Sequence, residues 1–203
     1  MQYKNIYPTP TERSQGINTR EYIVLHHTGT QEGTIKWVLN WLAKRSDYAS
    51  CHYVIDVNGD TYKIWNDTDI LWHAWVSSWD GKNDMNKYSI GIEIIWPLSN
   101  GAFTPEQKES VKNLVKYLCD IHKISKENVV RHKDISPGRK TDPKDTLWSE
   151  EYESYNLFID SIFMSKDNET LQRENDILRK RADEVDELLK KALKANKPND
   201  YNF

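Results

Sequence analysis

The sequence predicts an α/β domain, a mixed central β-sheet flanked by helices, followed by a C-terminal helical tail. Three observations carry this reading. Strand-like apolar runs alternate with helix-period segments from Tyr22 to His132. Two β-rich runs meet at Asn58-Gly59, the signature of a hairpin. From Lys166 onwards the composition changes in kind, with charged residues making up about half of the chain to Lys197 and glycine absent.

Residues 1–20 are polar and contain proline, and they read as an irregular arm. The first strand is expected at about Tyr22 to His27, an apolar run of the kind that is buried on both faces. A Gly-containing loop leads to a helix near Thr34–Arg45, with Trp37, Val38, Trp41 and Leu42 as its inward stripe. His52 to Val57 and Thr61 to Trp65 form the hairpin arms. Ser89 to Ile95 is a further apolar strand, closed by Pro97. Thr104-Pro105-Glu106-Gln107 pairs an N-cap with proline at the first helical position. It opens a helix to about His122, with Val111, Leu114, Val115 and Leu118 inward. Val129 to His132 is a short strand.

Composition removes several classes of function. A net charge of −3 gives no reason to expect nucleic acid as a partner. Two cysteines, Cys51 and Cys119, make no disulfide framework. No apolar run approaches the roughly 18 residues of a membrane span, so no membrane insertion is expected. The N-terminal residues carry no apolar h-region, which predicts synthesis in the cytoplasm without a signal peptide.

In the tail, Leu171, Leu178, Val185 and Ala192 recur every seven residues, and Asn175, Ala182 and Leu189 fill the companion positions. This is a heptad with a leucine-rich d row and an a row of Asn, Ala and Leu. A buried Asn at one a position favours a fixed register and a two-stranded partner, so a homo-oligomer through this helix is one expectation. A single charged helix is the other. The resulting division is an arm at 1–20, a domain at 21–164, the heptad helix at 165–197 and a disordered end at 198–203.

The chemistry concentrates in Arg131-His132-Lys133-Asp134-Ile135-Ser136-Pro137-Gly138-Arg139-Lys140-Thr141-Asp142-Pro143. Pro137 and Gly138 break regular structure, so the segment is expected to be a non-helical loop, with Pro143 pushing Asp142 towards an extended conformation. It brings together a histidine, a lysine and a carboxylate. A histidine and a carboxylate suit zinc, and a catalytic zinc needs a third protein ligand. The upstream strand ends in His26-His27, whose side chains point to opposite faces, so only one of them can serve.

"IVLHHTGT", "CHYVIDVNG", "WHAW", "NKYSIGIEI" and "RHKDISPGRKTDP" occur in this order. Together they resemble the zinc-dependent N-acetylmuramoyl-L-alanine amidases, a family of phage lysins, cytosolic recycling amidases and peptidoglycan recognition proteins. The resemblance covers roughly Glu21 to Pro143, with flanking helices continuing the domain to about Met164. It implies the peptidoglycan recognition protein-like fold, a Zn2+ cofactor and a peptidoglycan or muropeptide substrate. The bond to be cut would be the amide between the lactyl group of N-acetylmuramic acid and L-alanine.

The resemblance also implies roles. His26, His132 and Asp142 match the zinc ligands, leaving His27 either packed or supporting a ligand from behind. Glu93 matches the general base and Lys140 the cation that stabilises the oxyanion. His73, Asn86 and Trp72 match groove residues that contact substrate. Independently of the resemblance, Trp72, Trp75, Trp79 and Trp96 as a group read as core, the commoner place for tryptophan. Certain lysins carry a tyrosine immediately before the histidine of the "HYVI"-type strand; here that residue is Cys51, which leaves the glutamate-dependent mechanism. The context expected is a phage endolysin released to the wall by a holin. The competing readings are a cytosolic muropeptide-recycling amidase and a non-catalytic peptidoglycan-binding protein.

Overall fold

The computed structural model describes residues 4–5, 16–29, 34–44, 49–96, 101–148, 152, 154–164 and 166–195. Pro97, the 198–203 end and most of the N-terminal arm fall outside this set. The chain divides into two compact units, Met1–Phe163 and Met164–Phe203.

The first unit is built on a six-stranded sheet. Its strands are β1 (Lys4–Asn5), β2 (Tyr22–His27), β3 (Tyr53–Ile55), β4 (Thr61–Lys63), β7 (Ser89–Ile94) and β8 (Val129–Arg131). They lie in the order β1-β4-β3-β7-β2-β8. Only β3 and β4 run antiparallel, across the turn at Asn58-Gly59; the other pairings are parallel, so the sheet is mixed. A separate two-stranded hairpin joins β5 (Ser78–Trp79) to β6 (Lys82–Asn83).

Strand alternation divides the core. Ile23 and Leu25 of β2 and Ile90, Ile92 and Ile94 of β7 face helices α2 (Pro105–His122) and α4 (Tyr155–Phe163). There they pack with Val111, Leu114, Val115, Leu118, Phe158 and Ile159 around the fully buried Trp148. On the opposite face, Val54 packs with Val38 and Leu42 of α1 (Ile35–Lys44), while Val24 packs with Ala74, Met85 and Val130. Helix α2 opens as its sequence predicts: Thr104 caps the Gln107 N–H, and the Gln107 side chain returns to the Thr104 N–H.

Three sequence expectations are corrected. The N-terminal stretch is not wholly irregular, because Lys4–Asn5 pairs in parallel with β4 and the buried Asn18 donates to the Ser89 carbonyl at 2.7 Å. Trp41 is not part of the inward face of α1: it is 36% exposed and stacks on Trp37, which leaves Val38 and Leu42 as the buried pair. The ligand segment is not free of helix, since His132–Ile135 forms one helical turn, α3, ahead of the Pro137-Gly138 break. The Arg131 N–H and guanidinium both engage Asp134, and this closes that turn.

The second unit contains α5, a helix over Lys166–Ala195. Leu178 and Val185 of the d row are exposed, as are Ile177 and Leu188. The side chains of Leu171, Asn175, Ala182, Leu189 and Ala192 lie outside those described. No helix among the described residues is long and apolar enough to cross a membrane.

Candidate metal centre and active site

The parallel ladder between β2 and β7 pairs Val24 with Gly91 and His26 with Glu93. Residues paired in this way project from the same face, so His26 and Glu93 stand side by side at the carboxyl ends of two central strands. His132 follows directly on β8, the other neighbour of β2, and Asp142 returns on the loop after α3. The Lys133 N–H donates to the Asp142 carbonyl at 2.8 Å and ties that loop to the helical turn. The Asp142–Pro143 peptide is cis.

These elements bring three ligand atoms together. His26 Nδ1 and His132 Nδ1 are 3.0 Å apart. Asp142 Oδ2 is 3.0 Å from His132 Nδ1 and 3.6 Å from His26 Nδ1. A tetrahedral zinc with bonds of about 2.0–2.1 Å sets its ligands roughly 3.3–3.5 Å apart, so this triangle fits the ion. The protonation states fit as well. Burial and the neighbouring His132 push the His26 imidazole down to about 4, which keeps it neutral near pH 7. Burial works to raise the Asp142 carboxyl. The His132 and His26 imidazoles beside it outweigh that and hold it well below the usual carboxylate range. Neutral imidazoles and an ionised carboxylate are the forms that bind metal.

A second layer fixes His26. Its Nε2 meets His73 Nδ1 at 3.0 Å, and His73 Nε2 lies 3.3 Å from the Ser89 carbonyl. One tautomer pattern satisfies the chain: His73 Nε2–H donates to Ser89, His26 Nε2–H donates to His73, and His26 Nδ1 is left bare towards the site. Burial, with His26, His52 and His132 nearby, pushes the His73 imidazole well below its ordinary value and keeps it neutral. The His73 ring rests on Gly91, where an added β-carbon would lie 2.5 Å from its Cγ. The far nitrogen of His132, by contrast, is buried without a hydrogen-bond partner.

Glu93, Lys140, Trp72 and His73 line one cleft of about 690 Å³ with the three ligands. Asn86 does not reach it. Its side chain is fully buried, accepting from the Ala74 N–H at 2.8 Å and donating to the Trp75 carbonyl at 3.2 Å and to Asp84 at 2.8 Å. Its amide is thus spent on holding the Trp72–Trp75 segment, which leaves nothing for substrate. His27 packs edge-on against Trp96 at 5.0 Å. Burial, with Glu93 nearby, raises the Cys51 thiol well above its ordinary value, so it is no nucleophile.

Sequence reasoning missed several of the residues that shape the cleft. Trp41, Trp75 and Trp96 line it with Trp72, so these tryptophans are wall rather than core. Arg139 also lines it, and its guanidinium donates to the carbonyls of Ala74 and Val76. Gly91 carried a legible signal, because a glycine inside an apolar strand marks a close approach.

Comparison with known proteins agrees with this geometry. The family model described as N-acetylmuramoyl-L-alanine amidase matches residues 17–145. The N-acetylmuramoyl-L-alanine amidase AmiD of Escherichia coli is 36% identical over a match covering 46% of this chain and 40% of its own. The 1,6-anhydro-N-acetylmuramyl-L-alanine amidase AmpD of Haemophilus influenzae is 38% identical, over 46% and 51%. The chain therefore spans about half the length, or less, of these curated relatives. Among solved structures, the catalytic domain of XlyA superposes with a TM-score of 0.63 at 26% identity, covering 80% of this chain and 99% of that one. AmpDh3 of Pseudomonas aeruginosa, solved in complex with anhydromuramic pentapeptide, gives 0.55 at 28% identity, over 66% and 58%. With the model matching more than half of its length, the chain belongs to the N-acetylmuramoyl-L-alanine amidase family.

Proposed function

We propose that this chain is a zinc-dependent N-acetylmuramoyl-L-alanine amidase that cuts the amide between N-acetylmuramic acid and L-alanine of peptidoglycan. The observation that carries the reading is the His26, His132 and Asp142 triangle with Glu93 in register beside His26. Zinc held by those three residues would supply Lewis acidity to the amide carbonyl and to the attacking water. Glu93 then takes the proton of that water and delivers it to the leaving amine. Lys140 sets a positive charge beside the oxygen on which negative charge develops. His73 acts as a positioning residue for His26, and Asn86 holds the backbone that carries His73. The Trp72, Trp75 and Trp41 rings offer flat apolar faces to a sugar.

The context we favour is a phage endolysin. Supporting it, a mutant endolysin from Bacillus subtilis aligns at 26% identity with a TM-score of 0.63, covering 79% of this chain and 99% of that one. The second reading, a recycling amidase, draws on the identity to AmpD of Haemophilus influenzae.

The test is release of new amino termini and of reducing ends from peptidoglycan, using chelated protein, zinc-restored protein and Glu93→Ala. Zinc-dependent amine release without reducing ends, lost in the variant, is the expected result. Wall binding with no release in any metal state would make the chain a receptor. Preference for intact sacculi over soluble anhydromuropeptides separates the endolysin from the recycling enzyme.

A further inference from the structure

The described part of α5 presents a lengthwise stripe, with Leu178 and Val185 seven residues apart and Leu188 beside them, all more than half exposed. A monomer gains nothing by exposing that row, and a helix whose remaining described surface is polar apart from Ile177 is stabilised by burying it. The charges flanking the stripe identify the occupant. With Leu178 and Val185 at d, Arg181 falls at g, and Arg179 and Asp186 fall at e. In a parallel pair of helices, each g residue meets the e residue five positions further along the other helix, which sets Arg181 of one copy against Asp186 of the other. By sequence alone, the flanking repeats place a glutamate at 174 against Arg179, and leucines at 188 and 193 against each other. An antiparallel pair centred on the same repeats would set Arg181 against its own counterpart.

We infer that α5 is a parallel, in-register homodimerisation helix, whose occupant is a second copy of this chain. Within one helix Asp186 meets Lys190 at 2.9 Å, but both side chains are more than half exposed. A pair of that kind is worth little and leaves the carboxylate able to reach across the seam. Pairing would give the particle two catalytic units, so a polymeric substrate is held by the second while the first turns over, a gain that soluble fragments do not provide.

The test is sedimentation equilibrium of the full chain over a range of concentrations. Reversible dimerisation is expected, abolished by Leu178→Asp with Val185→Asp. Arg181→Glu should weaken the dimer roughly tenfold by turning two attractive pairs repulsive, and adding Asp186→Arg should restore it. Orientation is read separately with Leu178→Cys, since a parallel pair brings the two thiols together and yields a covalent dimer on mild oxidation. A chain that stays monomeric at every concentration overturns the proposal. So does a dimer indifferent to Arg181→Glu, or one that Leu178→Cys does not cross-link.

Discussion

The His73 imidazole lies directly on Gly91, where a β-carbon would approach its Cγ to 2.5 Å. Real side chains do not sit so close, and the ring cannot simply move, because His26 and Ser89 hold its two nitrogens. Gly91→Ala should therefore displace His73, release His26 Nε2 and weaken zinc binding by about 10- to 100-fold. Competition with a chromophoric chelator measures this, and His73→Phe should reproduce it. Wild-type affinity in both variants would remove His73 from the support of the site, whereas absence of zinc binding in the wild type would refute the metal reading itself.

Glu93 shares a face with His26 but is not among the three ligand residues. Glu93→Ala should keep zinc affinity and the unfolding midpoint while lowering turnover by about 10²- to 10⁴-fold, the usual worth of a general base. A variant that keeps full turnover would show that another group moves the proton.

Asp142 supplies the only carboxylate of the triangle. Asp142→Ala should cost more zinc affinity than the about 10- to 100-fold that follows loss of an outer partner. Undiminished binding by titration calorimetry would mean that the ion sits elsewhere.

His52 offers a pH signature clear of the metal. Its Nδ1 accepts from the Gly91 N–H at 3.0 Å and its Nε2 faces the Asp69 carbonyl at 3.0 Å, so the fold uses the neutral ring. Burial pushes its pKa from 6.5 down to about 4. The unfolded chain takes up the proton first, so the associated stability is complete above pH 6.5 and falls as pH drops from there towards 4. The loss amounts to about 3 kcal/mol. Urea unfolding of zinc-free protein across that window should show the slope in the wild type and a shallower one in His52→Gln. Equal slopes would show that His52 is not the titrating group.

Local signals were legible in the sequence and distant ones were not. The Thr104 cap, the Asn58-Gly59 hairpin and the apolar strands rest on neighbouring residues, and each appears where its pattern predicts. The β5–β6 hairpin was also there to be read: Asp80 and Gly81 both take positive φ, as an Asp-Gly turn requires. Lys4–Asn5 gave no such sign, because a two-residue edge strand depends on the partner it meets. The same holds for the site. Histidine and aspartate at family spacing pointed to the ligands, but Asn86 turns inward because Ala74 and Trp75 present their backbone to it. Trp41 reads as a core residue in a helical stripe and becomes a cleft wall only because of what the fold sets opposite it.

The pairing of His26 with Glu93 makes their separation a property of the main chain. Loops before β2 and after β7 can lengthen or shorten without altering it. A single residue inserted within Tyr22–His27 or Ser89–Ile94 would turn one of the two side chains to the opposite face of the sheet. The chain thus contains stretches where length can drift and short ones, these two among them, where it cannot. Deletion scanning would find those two by loss of function without any reference to side-chain identity.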